Sequence, residues 1–204
     1  MIYMRHFSKR ILDGIARNTL KQYNLDYLNY APQSVPLEAL IEDVFGLTIE
    51  YMHLTEKNVE LGRMIYDDGY TTRYNPELAD YELVKVTAGT MLIDASLLET
   101  SKLHGRYRFT LAHELAHWIL HKELFTGTNA AASHCASESN DDLIEWQANY
   151  LAQAILMPAG QVKRGFYPLR MQGKNTTAIV GLLATTFGVS KQAMEIRLDD
   201  LGLA

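Results

Sequence analysis

The chain has 204 residues, 48% of them hydrophobic and 21% charged, with a net charge of −5 and a single cysteine, Cys135. That is enough apolar material for one fair-sized domain, or one with a small appendage, without any external staple. One cysteine excludes an intramolecular disulfide framework and a Cys-rich zinc finger and suits a reducing compartment, so a cytoplasmic protein is expected; the acidic balance argues against the whole molecule being a nucleic-acid binder.

Residues 1–10 carry Arg5, Lys9 and Arg10, but the following ILDGIARN soon turns polar and has no signal-peptide core. No apolar run approaches the roughly 18 residues of a membrane helix. From about His6 to Asn29, apolar positions including Ile11, Leu12, Ile15 and Leu20 recur mostly every three or four residues and predict a helix, which Ala31-Pro32 ends. A second helix is expected from Leu37 to about Phe45, with Pro36 in its first turn, where the missing N–H costs nothing. Strand formers at 47–54, 61–66 and 83–87 predict a small sheet. Asp68-Gly69 and Ala88-Gly89 read as turns, the second joining VKV to TMLID as a candidate hairpin. The stretch between Gly69 and Asp80 reads as a loop.

Next comes RFTLAHELAHWILH, Arg108 to His121, which sets His113 and His117 four residues apart with Glu114 between them. On a helix these two imidazoles share a face and can close on one metal ion from adjacent turns. Leu111, Leu115, Trp118 and Ile119 fall roughly opposite, as on a buried helix with one face open to a cleft. The polar GTNAAASHCASESNDD that follows reads as a loop. Its His134 and Cys135 are metal-ligand types, but a surface histidine and a free cysteine are the simpler reading.

DLIEWQANYLAQAILMP predicts a helix from Asp142 to Met157-Pro158, with Asp141 or Asp142 as its cap. Glu145, Ala148, Asn149, Ala152 and Leu156 share one face, where the alanines admit a close neighbouring helix and Glu145 reaches across as third ligand. Residues 160–175, with three glycines and Pro168, read as a connector. Thr176 to Phe187 and Lys191 to Leu201 are two short helices around Gly188-Val189-Ser190, either a helix-turn-helix-like unit or a hairpin packed on the main domain. The organisation expected is α+β: a main domain over 1–160, with an N-terminal helical segment at 1–35, and a connector with a small helical module over 161–204. From Gln161 onward the charge is +3, against −8 before it.

Two neutral imidazoles and one carboxylate suit tetrahedral Zn2+, with the fourth position left to water. His113, His117 and Glu145 are the ligand set for one ion, and Glu114 is the base that takes a proton from water and passes it to a leaving amine. The chemistry is peptide hydrolysis. Asn149, one turn beyond Glu145, is placed either to hold the outer nitrogen of one histidine or simply to pack. His121 lacks the glycine and histidine spacing of an extended zincin site and takes an end-of-helix role.

RFTLAHELAHWILH, then E-x-x-A-N-x-x-A-x-x-I-L-M-P from Glu145 to Pro158, then FGVSKQAMEIRLDDLG, together with GTMLID, resemble the ImmA/IrrE metallo-endopeptidases from about residue 36 onward. The resemblance implies a compact zincin with zinc on two histidines and a glutamate and Glu114 as base. It also implies a cytoplasmic protease that inactivates a DNA-binding repressor; the need for selectivity and the diluted charge of the C-terminal part add the expectation that Thr176 to Ala204 help recognise that protein rather than DNA. By the same resemblance the substrate lies against an edge strand, for which Thr90 to Asp94 is the candidate. The competing reading is a non-catalytic DNA- or protein-binding regulator with a structural or vestigial metal site. Intact Glu114 favours the enzyme, and Glu195, Asp199 and Asp200 leave the last helix poorly armed for a DNA groove.

Overall fold

The computed structural model describes residues 5–127 and 138–203, with backbone alone for 138–141; His134 and Cys135 lie outside the described residues. The fold is α+β. Helix α1 (Lys9–Tyr23) is shorter than its periodicity suggests, because the chain turns at Asn24 and resumes only as a 3-10 turn, Tyr27–Asn29. Leu12, Ala16 and Leu20 are the face of α1 that is buried. A short α2 (Leu37–Ala39) continues as a π turn, Leu40–Val44, and buries Leu37, Leu40 and Ile41.

Five strands follow: β1 (Thr48–Met52), β2 (Gly62–Met64), β3 (Gly69–Asn75), β4 (Asp80–Val86) and β5 (Thr90–Asp94). The order β1-β5-β2 makes a mixed sheet, β1 parallel and β2 antiparallel to β5, while β3 and β4 pair only with each other as a two-stranded ribbon. Three expectations change here. The region from Gly69 to Asp80 is mostly strand rather than loop. The hairpin from VKV to TMLID does not form, although the chain does turn there, with Thr90 N–H bonded to the Thr87 carbonyl. And β5 is the buried central strand, so the edge beside the helix that carries His113 and His117 is β2. β5 also separates two apolar clusters: Met91 and Ile93 face the main core, Leu92 meets Leu54, Ile65 and Val86.

After β5, Asp94 accepts the backbone N–H groups of Ser96 (3.0 Å) and Leu54 (2.8 Å) and leads the chain through two 3-10 turns into α3 (His104–Phe125). Leu111 and Leu115 are fully buried, while Trp118 and Ile119 are half-buried. α4 (Glu138–Leu156) begins before Asp142 and packs along α3, with Ala148 and Ala152 fully buried; α1 lies against α4.

Residues 159–171, expected as a connector, form α5 (Ala159–Met171) with Pro168 inside it. Burial of Gln161, Val162 and Phe166 on one face holds the helix against the proline's lost N–H. Asn175 caps α6 (Thr176–Phe187) and Ser190 caps α7 (Lys191–Asp200), each side-chain oxygen accepting the N–H three residues on. Gly188 between them has φ +64°, the left-handed conformation that ends a helix cheaply only in glycine. Ile179, Leu183, Met194 and Leu198 belong to the same apolar cluster as Leu12, Leu111 and Leu151. The +3 charge of this end is partly hidden, since Arg197 is fully buried. Among the described residues, no helix is long and apolar enough to cross a membrane.

Candidate metal centre

Helices α3 and α4 meet with small residues between them, so side chains that face one another across the contact nearly touch. His113 and His117, one turn apart on α3, bring their Nε2 atoms to 2.9 Å. Glu145 on α4 places Oε2 3.3 Å from His113 Nε2 and Oε1 3.3 Å from His117 Nε2. Tetrahedral coordination at ~2.0 Å needs donor atoms ~3.3 Å apart, so this set fits a zinc-sized ion. Asn149, the next turn of α4, puts Oδ1 3.0 Å from His113 Nδ1. An amide oxygen only accepts, so His113 Nδ1 carries a proton and Nε2 is the nitrogen that faces Glu145.

The electrostatics agree with a cation site. Burial lowers the His113 pKa, but Glu145, Glu114 and Asn149 more than offset it and hold it above the ordinary histidine value. Burial raises that of Glu145, yet the hydrogen bonds and charges of His113 and His117 hold it far below the carboxylate range. Such a cluster draws positive charge inward.

His121 is not an end-of-helix residue, since α3 runs on to Phe125. It is buried, with Nδ1 3.3 Å from His117 Nδ1 and Nε2 3.2 Å from Gln147 Oε1 on α4. Burial, the largest effect on it, pushes its pKa down to about 4, so its ring is neutral at neutral pH.

The cluster opens into a cleft of about 500 Å³, lined on one side by β2 and on the others by α3, α4 and Tyr66. Glu114 is buried at the cleft wall beneath Gly62. A Cβ at Gly62 would stand 2.7 Å from Glu114 Oε1 and 2.7 Å from Thr110 Cγ2, so any larger residue there forces these side chains to shift. Tyr66 stacks on Trp118, centroids 5.9 Å apart and rings 13° from parallel, and touches Phe125 at 5.0 Å. Burial first, then the negative charge of Glu114 and Glu145, raises its pKa, so its hydroxyl stays protonated.

The structure thus brings His113, His117, Glu145 and Asn149 together, with Glu114 beside them. Tyr66, Gly62 and the His121–Gln147 contact were not read from the sequence. An isolated glycine in a strand is a signal of close backbone approach and marks Gly62; nothing local marks the other three.

The family model described as IrrE N-terminal-like domain (Peptidase_M78) matches residues 87–199. Among solved structures, a Mycobacterium tuberculosis transcriptional regulator is similar in fold, with a TM-score of 0.53 at 20% identity. That alignment covers 92% of this chain and 55% of the regulator's chain. No curated protein matches the sequence.

Proposed function

Since the chain belongs to the IrrE N-terminal-like peptidase family, we propose that it is a zinc-dependent endopeptidase that cuts one protein substrate, a DNA-binding transcriptional repressor. The observation that carries the reading is the convergence of two imidazole nitrogens and one carboxylate, with Glu114 buried beside them at an open cleft. A purely structural metal site has no use for that second carboxylate.

His113, His117 and Glu145 hold the ion, which when bound supplies Lewis acidity to a water and to a peptide carbonyl. Glu114 accepts the proton of the attacking water and returns it to the leaving amine. Tyr66, protonated and in the same cleft, donates a hydrogen bond to the carbonyl oxygen as its charge grows. The peptide adds as a strand along β2, the sheet edge that lines the cleft. Asn149 keeps His113 oriented.

The repressor as target rests on the resemblance to the ImmA/IrrE peptidases. Recognition by α6 and α7 as a surface distinct from the cleft fits the need for selectivity in a protease working among its host's own proteins. Exposed Lys191 and Gln192 stand beside exposed Glu195, and with Arg197 buried the last helix offers little to DNA phosphates.

Metal analysis of the purified protein and its Glu145→Ala variant tests the site: about one zinc per chain is expected in the parent and little in the variant, and full retention by the variant removes Glu145 from the ligand set. Gly62→Ala tests the base. The added methyl displaces the Glu114 carboxylate, so kcat/KM should fall on the order of 10- to 100-fold at unchanged metal content. An unaltered rate would show that Glu114 has no fixed position to lose.

A further inference from the structure

We infer that His121 and Gln147 form a relay that fixes the ring of His117 with a proton on Nδ1, which leaves Nε2 as the nitrogen turned to Glu145 and available to a metal ion. The inference rests on the ligand role proposed for His117, and its logic starts from a backbone carbonyl. Gln147 Nε2 donates to the carbonyl of Arg5 at 2.9 Å. That oxygen can only accept, so the amide is oriented, and Gln147 Oε1 is the atom facing His121 Nε2 at 3.2 Å. The oxygen accepts, so His121 Nε2 bears the proton.

In a neutral imidazole the other nitrogen is then bare. His121 Nδ1 is therefore an acceptor, and its neighbour at 3.3 Å, His117 Nδ1, is the donor. The last consequence falls on His117 Nε2, the nitrogen left to face a metal ion, 3.3 Å from Glu145 Oε1 and 2.9 Å from His113 Nε2. His121 is 2% exposed and Gln147 0%, so water does not compete for these contacts. His113 Nδ1 is set by Asn149, whereas His117 Nδ1 is set through two side chains, His121 and Gln147, ending on the chain segment before α1.

Metal ligation by histidine depends on such outer partners, whose removal weakens binding about 10- to 100-fold. His121 is here a positioning residue, because it acts through His117. Two substitutions separate positioning from packing. His121→Asn keeps an acceptor oxygen near the place of Nδ1 but loses the ring; His121→Phe keeps a ring of similar size but has no acceptor.

The experiment reads ring-nitrogen chemical shifts of 15N-labelled, metal-free protein, then titrates Zn2+ against a competing chelator. In the parent, His117 should carry its proton on Nδ1 and His121 on Nε2. His121→Asn should preserve the His117 state and bind Zn2+ within a few-fold of the parent, while His121→Phe should lose that state and bind about 10- to 100-fold more weakly. A bare Nδ1 on His117 in the parent overturns the relay whether or not either variant folds, as does stronger binding in His121→Phe than in His121→Asn. Retention of zinc by Glu145→Ala would instead strike at the ligand set, leaving the tautomer measurement to judge the relay by itself.

Discussion

Glu114→Gln is expected to keep its fold and its metal while peptide hydrolysis falls by about 10²–10⁴-fold, the usual contribution of a positioned general base. The amide has nearly the shape of the carboxylate, so the tight approach of Gly62 is preserved. What disappears is the carboxylate charge, and with it the basicity that takes a proton from water. Glu114 is not one of the three converging donors, so the parent's metal content should be retained. Single-turnover cleavage of a co-expressed repressor, with metal content measured on the same sample, checks both halves. A neighbouring protein that vanishes on expression of the parent and survives with Glu114→Gln identifies the substrate directly. Wild-type rates in the variant would refute the mechanism.

Arg197→Ala should cost about 3–5 kcal/mol, the range for breaking a buried ion pair on one side. The guanidinium is fully buried and donates to Asp13 Oδ1 at 2.6 Å, the Met157 carbonyl at 3.0 Å and the Tyr150 hydroxyl at 3.2 Å. Truncation leaves all three acceptors without that donor and opens a void among α1, α4 and α7. For a chain of this length the corresponding fall in Tm is roughly 6–20 °C, read by thermal unfolding. Removing both charges together, as Asp13→Leu with Arg197→Met, should destabilise less than Arg197→Ala, because no carboxylate is then stranded. Asp13 keeps 23% side-chain exposure, which tempers the effect without removing it. A loss below about 1 kcal/mol, the value of a surface pair, would mean that water reaches Arg197. The same contacts imply that deleting residues 176–204 unfolds the protein, so the role of α6 and α7 in recognition is better tested by surface substitutions such as Lys191→Glu.

The helices around the centre were legible because helical spacing is local. Four residues separate His113 from His117, and the small faces of Ala148 and Ala152 announce where α4 can approach. The sheet was less so. β3 carries GYTTRYN with little buried on either face, and without burial there is no alternation to read. The turn after VKV exists, but a turn fixes only its own residues, and β5 takes its partners from β1 and β2 far away in sequence. α5 hides behind Gly160, Gly165 and Pro168, whose local preference is overruled by the burial of Val162 and Phe166. His121 looked like the last member of a histidine row; its purpose depends on Gln147, which no spacing within α3 can reveal.

The Asp13–Arg197 pair joins residues 184 apart in the chain, and that separation sets an order of assembly. At about 5–20 residues per second of synthesis, α1 is made roughly 10 to 40 s before its partner. By then α3 and α4, which carry His113, His117 and Glu145, have already been made, and α1 can settle on α4 with its carboxylate still unanswered. The groove between α3 and α4 is thus built early and braced late. A chain interrupted before Arg197 has α3 and α4 made and its closing charge absent, which leaves it, at that stage, open to cleavage before it can fold.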